Sequence, residues 1–386
     1  MPSRLSLFPM LGMLALPAVA DIGEVDRLLG SSVQEIRQNR LDRALHSIDS
    51  LLERHPNFRL AQLMKGDLLL ARARPISTLG NAPGAREQQD ELREEAKARI
   101  LAIDAPVNPG LIPEELLHIT ADIQYAIAVD ASRARLYVFE NTAGGIHRIA
   151  DFYVTVGKFG IGKSKEGDKR TPVGLYTITN FKPDSELEEL YGIGAYPLSY
   201  PNEWDRRNGR NGYGIWLHGV PRNTYARPPK ASDGCVVLSN DDLKSLARYI
   251  SIGQTPVIIA PSLTWVNAGS LGTARDELQQ AIDGWRKDWE SRDTDRLLGH
   301  YSPDFQSGAQ RYQAFAESKR RVNAAKDWIK VDLQRLSIFR QPGNKDMAIV
   351  TFDQDYRSNN LSDQSRKRQY WQRENGRWRI IQETIL

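Results

Sequence analysis

Apolar residues follow two different periods along the chain, and the change of period divides it into regions. In the first region they recur every three or four positions, at Leu41, Ala44, Leu45, Ile48, Leu51 and Leu52. This spacing predicts an amphipathic helix that ends at the His55-Pro56 break, followed by a second helix over about 58–73. A charged helix is expected over about 87–103. Residues 21–105 are therefore predicted to form a helical module.

A period of two begins after a proline-rich segment. The run "DAPVNPGLIPEE" contains three prolines, and residues 106–121 are expected to be a linker. Beyond it, "YAIAVDASRARLYVFEN" alternates on both sides of a turn, which predicts a hairpin. Further short strand-like runs, joined by Gly and Pro turns, predict a mostly β domain over residues 122–262. The acidic run "DSELEEL" within it is expected to be a surface helix over a cleft.

The last region mixes both periods. An amphipathic helical stretch contains Trp285 and Trp289, one helical turn apart, and four strand-like runs follow it. The two tryptophans are expected to pack a helix on a sheet. Residues 273–386 are thus predicted to form an α+β domain.

Residues 1–20 read as a secretory signal peptide. Arg4 precedes an apolar run from Leu5 to Leu16, and Ala18-Val19-Ala20 provides a small-x-small cleavage site. The run is too short to span a bilayer, and no later segment is apolar enough to do so. We therefore expect an exported protein of the bacterial cell envelope, in the periplasm, without a membrane span.

Composition and charge exclude some partners. With 40% hydrophobic and 26% charged residues the chain is an ordinary globular protein. Its 52 Lys and Arg nearly balance 48 Asp and Glu, which argues against nucleic acid as a partner. The six His are scattered, so neither a metal site nor a cofactor is expected.

The stretch "VTVGKFGIGKSKEGDKR" contains the spacing G-x-x-x-x-G-K-S of a phosphate-binding loop, from Gly157 to Ser164. Such a loop needs a helix directly after it, so that the helix N-terminus faces the phosphates. Here Gly167 and Pro172 break any helix. We expect a strand-connecting loop, no nucleotide partner, and a Lys163 ammonium in solvent or near the cleft.

Two residues in "GIWLHGVPRNTYARPPKASDGCVVLSNDDL" stand at ends of predicted strands, His218 and the only cysteine, Cys235. A free thiol is only a few per cent thiolate at neutral pH, and a neighbouring imidazole removes that limit by taking the proton. Gly234 lets a backbone approach closely, and N–H groups at such a turn can face a developing oxyanion.

These residues resemble the signature of the YkuD-type L,D-transpeptidases, and "GDKRTPVGLYTI" is similar to that family's upstream strand motif. The resemblance implies a β-sandwich-like catalytic domain without a cofactor. It also implies a Cys235 nucleophile that attacks the bond between meso-diaminopimelate and D-Ala in peptidoglycan stem tetrapeptides. His218 would be the base, oriented by the Gly219 carbonyl, and the Gly234 and Cys235 N–H groups would line the oxyanion hole.

Two departures from the family's pattern concern substrate contacts. Asp233 stands where many members have a second His, and Val237 stands where many have an Arg. Another cation must then hold the stem-peptide carboxylate. Arg227 is the first candidate and Lys230 the second, with Ser232 as a further substrate contact.

The outer regions show weaker resemblances. Residues 273–386 resemble SnoaL-like domains, cone-shaped α+β barrels whose pocket suits glycan or peptide and whose sheet suits assembly as a homo-oligomer. The N-terminal helix pair is similar to one tetratricopeptide unit.

The family resemblance leaves the acceptor open. An amine acceptor gives an L,D-transpeptidase of peptidoglycan biosynthesis and cell wall organisation. Water gives an L,D-carboxypeptidase, and members with a C-terminal SnoaL-like domain are among those that trim. An amidase, or a non-catalytic peptidoglycan-binding scaffold, is the remaining alternative.

Overall fold

The computed structural model describes residues 21–76, 78–80 and 86–386. The expected signal peptide lies outside the described residues. The chain begins with a short strand and four helices: β1 (Asp21–Ile22), α1 (Glu24–Arg37), α2 (Leu41–Arg54), α3 (Arg59–Ala71) and α4 (Arg86–Asp104). Their apolar faces form a separate core that includes Leu29, Ala44, Ile48, Leu51 and Leu68. The predicted helical region is thereby confirmed.

Residues 106–121, expected as a linker, contain the strands β2 (Leu111–Pro113) and β3 (Leu116–His118). Apolar side chains explain the difference, because Ile112, Leu116 and Leu117 are all buried. The segment is part of the packed protein, and its strands pair with elements much later in the chain.

The β-rich domain follows, with two short helices. Its elements are β4 (Tyr125–Asp130), β5 (Arg135–Thr142), β6 (Gly145–Tyr153), β7 (Val156–Gly157), β8 (Gly174–Thr177), β9 (Lys182–Pro183), β10 (Gly194–Pro197), α5 (Glu203–Arg207), β11 (Trp216–His218), β12 (Lys230–Ser232), β13 (Val236–Val237), α6 (Asn240–Leu246) and β14 (Pro256–Ala260). A six-stranded sheet has the order β1-β6-β5-β4-β14-β8, and a four-stranded sheet has the order β13-β11-β10-β9. The core between them is apolar, as in Ile127, Val138, Leu217 and Val236. The predicted β-rich architecture is confirmed.

The C-terminal domain is a helix-covered sheet. Its elements are β15 (Trp265–Asn267), α7 (Gly272–Glu290), α8 (Thr294–Leu298), β16 (Tyr301–Ser307), β17 (Gln310–Arg311), α9 (Tyr312–Ala324), β18 (Ile329–Gln341), β19 (Asn344–Ser358), β20 (Ser362–Glu374) and β21 (Arg377–Ile385). Trp285 and Trp289 of α7 are buried and contact Phe352 and Tyr356 of β19. The predicted packing of this helix on a sheet, and the α+β class, are confirmed.

The last two domains share one packed body. β3 forms the edge of the C-terminal sheet, whose order is β17-β16-β21-β20-β19-β18-β3, and β2 pairs with β15. One continuous hydrophobic cluster joins side chains of β4 and β5 with those of α7 and β19. In addition, Trp204 of α5 stacks on Tyr370 of β20 at 5.3 Å. The C-terminal domain is therefore a fixed neighbour of the β domain.

Candidate active site

The two central residues of the candidate site stand on neighbouring parallel strands. β11 ends at His218, and β13 begins directly after Cys235. The register pairs Leu217 with Val236. One residue earlier on each strand, Cys235 therefore lies opposite Trp216. Residues two apart on a strand share a face of the sheet. The sheet therefore places the thiol and the imidazole on the same face.

The imidazole of His218 is held in one orientation by the residue that follows it. Nδ1 lies 2.7 Å from the carbonyl oxygen of Gly219. A carbonyl only accepts hydrogen bonds, so Nδ1 carries the proton of the neutral ring and Nε2 keeps a lone pair. The ring of Tyr191 packs edge-on against it, with centroids 5.0 Å apart.

Burial sets the charge of this imidazole. His218 is 3% exposed, and burial lowers its pKa to about 4, against the raising effect of the hydrogen bond to Gly219. The positive charge of Arg227 also lowers the pKa. The ring is therefore neutral at pH 7 and its Nε2 can accept a proton.

The thiol of Cys235 is half-buried and donates to the carbonyl oxygen of Gly214, with the sulfur 3.2 Å from that oxygen. Burial raises the pKa of this thiol to about 11, although a hydrogen bond from the Trp216 backbone lowers it. Because the thiol pKa is high and the imidazole pKa is low, the proton rests on sulfur. The resting pair is neutral, and the thiolate must form during the attack.

The turn before the nucleophile is braced by Ser232. Its hydroxyl donates to the carbonyl oxygen of Cys235 at 2.6 Å and accepts from the N–H of Gly234 at 3.1 Å. Ser232 is 3% exposed, and both hydrogen bonds of its hydroxyl serve the turn; its contact with substrate stays a prediction. The Gly234 N–H, expected in the oxyanion hole, is likewise occupied by this hydroxyl, which leaves the Cys235 N–H as the candidate donor.

Gly234 has the backbone conformation that this turn requires. Its φ is +127°, a region that L side chains rarely adopt. A Cβ there would lie 2.8 Å from the carbonyl oxygen of Arg170. Glycine at this position lets the turn approach the neighbouring loop.

Of the two candidate cations, Arg227 lies near the catalytic pair. Its guanidinium donates to the carbonyl oxygen of Leu190 at 3.2 Å, and its charge acts on both the Cys235 thiol and the His218 ring. Lys230 is exposed at the start of β12. Within the described part of the chain, no hydrogen bond or ion pair joins its ammonium to the site.

The two departures from the family pattern have different surroundings. Asp233 is exposed and its carboxylate lies 3.2 Å from the Lys169 ammonium. Val237 is buried, and its backbone pairs with Thr155. A buried apolar side chain thus occupies the position at which many family members have an Arg.

Asn240, which sequence reasoning missed, clamps the segment after the imidazole. Its Oδ1 accepts from the N–H groups of Val220 and Ile193, and its Nδ2 donates to the Val220 carbonyl at 2.9 Å. A Cβ on Gly219 would lie 2.1 Å from this Oδ1. The signal was present in the sequence, because an amide lies three residues after the end of β13, but it is indistinguishable there from a residue of a helix cap.

The acidic run "DSELEEL" does not form the single surface helix that was expected. It forms two 3₁₀ turns, Asp184–Glu186 and Glu189–Tyr191. The Tyr191 carbonyl accepts from the Gly219 N–H at 3.1 Å, and Arg222 pairs with Asp184. The segment therefore covers the chain that follows His218.

The loop that matches the phosphate-binding spacing is closed by a protein carboxylate. The Asp168 carboxylate accepts from the N–H groups of Ser164, Lys165 and Arg170, and lies 2.9 Å from the Lys163 ammonium. Burial alone would raise its pKa, but these hydrogen bonds lower it to about 2. Lys163 is 4% exposed, so its ammonium is not in solvent. Its charge acts on the Cys235 thiol, which agrees with the other expected position, near the cleft.

Across residues 21–76, 78–80 and 86–386, no group of His, Cys, Asp and Glu side chains is arranged to hold a metal ion. In the same part of the chain, none of the helices is long and apolar enough to cross a membrane.

Two family models match the chain. Residues 124–259 match the L,D-transpeptidase catalytic domain, YkuD, and residues 277–384 match the Cds6 C-terminal NTF2-like domain. No curated protein sequence matches the chain.

Bd1075 and Pgp2 are among the proteins whose solved structures are similar to most of the chain. Bd1075 of Bdellovibrio bacteriovorus is 29% identical with a TM-score of 0.63, over 71% of this chain and 98% of that one. The helical cell shape determining protein Pgp2 of Campylobacter jejuni is 22% identical with a TM-score of 0.59, over 70% of this chain and 95% of that one.

Proposed function

We propose that this protein cleaves the meso-diaminopimelate–D-Ala bond of peptidoglycan stem tetrapeptides through a Cys235 thioester. Its residues 124–259 match the YkuD-type L,D-transpeptidase catalytic domain and residues 277–384 an NTF2-like domain, as its motifs predicted. One observation carries the proposal: Cys235 shares a sheet face with a neutral imidazole whose free nitrogen is Nε2. A thiol beside a base of this kind is the arrangement for acyl transfer.

The first half of the reaction follows from the two protonation states. His218 Nε2 takes the thiol proton as the sulfur attacks the carbonyl carbon of the meso-diaminopimelate residue. The oxyanion that forms accepts a hydrogen bond from the Cys235 N–H. When the tetrahedral intermediate collapses, the C–N bond breaks and D-Ala leaves with the proton from Nε2. The product is a thioester on Cys235.

A cation near the catalytic pair, Arg227, supports substrate binding. The leaving D-Ala carries a carboxylate, and a guanidinium can bind such a group in a bidentate fashion. Arg227 lies close enough for its charge to act on both catalytic residues. We assign it the carboxylate of the stem peptide.

The acceptor decides the name of the enzyme. An amine of a second stem peptide would give a cross-link, and water would give a tripeptide. The resemblance to family members with this C-terminal domain, some of which trim tetrapeptides, favours water. The second candidate function is therefore an L,D-carboxypeptidase.

We also propose that the protein is exported, from the pattern of residues 1–20.

A defined substrate separates these outcomes. The purified protein is incubated with a stem tetrapeptide, alone and with an excess of a second stem peptide as amine acceptor, and the products are weighed by mass spectrometry. A tripeptide in both reactions identifies the carboxypeptidase, and a cross-linked dimer identifies the transpeptidase. No release of D-Ala by the wild type in either reaction would refute the proposed function.

A further inference from the structure

The loop between the two catalytic residues, residues 219–229, is held by the N-terminal helices. The ring of Tyr225 packs against His55 at 4.5 Å and Phe58 at 4.6 Å between centroids. Tyr225 also joins the hydrophobic core of the helical module. Beside it, the Asn57 side chain donates to the carbonyl oxygen of Arg222 at 3.2 Å. The loop is thus docked on the turn between α2 and α3.

Tyr153, at the end of β6, is a second link between the module and the loop. Its hydroxyl donates to the carbonyl oxygen of Arg227 at 3.0 Å, and the Thr155 hydroxyl donates to the same oxygen at 3.0 Å. The guanidinium of Arg99, on α4, lies 3.9 Å from the centre of the Tyr153 ring, within range of a cation–π interaction. One tyrosine therefore contacts the module through its ring and Arg227 through its hydroxyl.

Buried ion pairs fix the module on the catalytic sheet. The Asp26 carboxylate of α1 accepts from Arg99 of the same module and from Arg135 of β5. Arg135 also pairs with Asp151 of β6. Removal of one partner from such a network leaves an uncompensated buried charge, so α1 and α4 have one favoured position against β5 and β6.

We propose that Tyr153 and Tyr225 are positioning residues for Arg227, and that the helical module is a structural part of the substrate site. A guanidinium meets a carboxylate in a bidentate fashion only if its backbone is held in place. Tyr225 anchors the chain two residues before Arg227 on the module, and the Tyr153 hydroxyl holds the Arg227 carbonyl oxygen. The identity of the carboxylate rests on the proposed function, whereas the docking of the loop does not.

Two variants of the full chain test this inference. Tyr153→Phe removes one hydroxyl, and Tyr225→Leu removes the ring that packs on the module. Tyr137→Phe is the matched control, because Tyr137 is a buried tyrosine of β5 that interacts with Arg133 and packs on Trp265. Hydrogen exchange measures the backbone amides of residues 219–229, and steady-state kinetics measure KM and kcat with the stem tetrapeptide.

In both variants we expect these amides to exchange at least about fivefold faster than in the wild type. KM should rise about three- to tenfold, while kcat and the rate of thiol alkylation by iodoacetamide stay within about twofold. The control should change neither the loop exchange nor KM. If the two tyrosines served only the stability of the protein, the variants would lower the melting temperature. They would show neither the faster exchange in residues 219–229 nor a rise in KM at constant kcat.

Unchanged loop exchange in Tyr153→Phe would overturn the proposal, even if Tyr225→Leu fails to fold. Faster exchange with an unchanged KM would overturn the assignment of both tyrosines as positioning residues for Arg227. If the wild type releases no D-Ala, the proposed function fails, but the exchange comparison still decides whether the tyrosines hold the loop.

Discussion

The hydroxyl of Ser232 lies 2.6 Å from the carbonyl oxygen of Cys235, to which it donates, and it accepts from the N–H of Gly234 on the other side of the turn. One buried side chain therefore fixes both peptide groups that flank the Gly234–Cys235 step. The direction of the thiol and of the Cys235 N–H depends on this brace.

Ser232→Ala should lower kcat by about tenfold or more with little change in KM, because the oxyanion donor and the sulfur lose their common support. The loss of two hydrogen bonds at a buried site should also cost about 1–3 kcal/mol of unfolding free energy. Urea unfolding and kinetics with the stem tetrapeptide measure the two effects.

Ser270→Ala is the matched control for that variant. Its exposed hydroxyl donates only to the carbonyl oxygen of Asn267. It should leave both kcat and stability close to wild type. A Ser232→Ala enzyme with an unchanged kcat would show that the brace does not set the geometry of the nucleophile.

The Cys235 thiol should be un-ionised at neutral pH, so that its reactivity follows the small thiolate fraction. Burial raises the Cys235 pKa above its ordinary value of 9.0, to about 11, so the thiolate fraction grows about tenfold per pH unit up to that value. The rate of alkylation by iodoacetamide should therefore climb from pH 7 to pH 10 without a plateau. A plateau beginning below pH 8 would mean that a preformed thiolate–imidazolium pair is the resting state.

Arg227→Ala should raise KM for the stem tetrapeptide, or lower kcat/KM, by about tenfold or more, since a charge-assisted hydrogen bond is worth about 1.5–3 kcal/mol. Lys230→Ala is the control, because it removes an exposed cation three residues further along the chain, at the start of β12. We expect it to leave the kinetics within about twofold. Equal kinetics for both variants and the wild type would remove Arg227 from the substrate site.

Lys163→Ala should destabilise the protein by about 2–3 kcal/mol above pH 5, because it breaks a buried ion pair while Asp168 keeps its three backbone donors. The folded pKa of Asp168, about 2, is below its ordinary 3.8. The stability that this carboxylate contributes is therefore present above pH 4 and lost as the pH falls towards 2, and the difference between variant and wild type should shrink over that range.

Thermal melting measures the difference. Lys165→Ala, which removes an exposed neighbouring ammonium, should stay within about 0.5 kcal/mol of wild type. A Lys163→Ala protein as stable as Lys165→Ala at pH 7 would contradict a stabilising role for the ion pair.

Local patterns predicted much of the fold. The helical spacing from Leu41 to Leu52 and the alternation of Ile127 and Val129 marked elements that the structure contains. The strand character of Leu116–His118 was missed, because it depends on pairing with Ile338 and Phe339, more than 200 residues away. Long-range strand pairing leaves no local periodicity to detect.

The two central residues of the candidate site were predictable from the sequence, but the side chains that support them were not. His218 and Cys235 stand out because their residue types and flanking glycines are local signals. The roles of Ser232, Asn240 and Lys163 were not predictable, because each depends on which partner the folded chain brings within hydrogen-bond distance. Burial of Lys163 in particular follows from Asp168 closing the loop around it.

The most direct test of the central claim is the mass of the intact protein after brief exposure to a stem tetrapeptide and quenching in acid. The wild type should gain the mass of the tetrapeptide less D-Ala, and the adduct should map to Cys235 and be released by hydroxylamine, as a thioester is. Cys235→Ala should show no adduct and release no D-Ala. Release of D-Ala by Cys235→Ala at the wild-type rate would contradict a covalent mechanism at this residue.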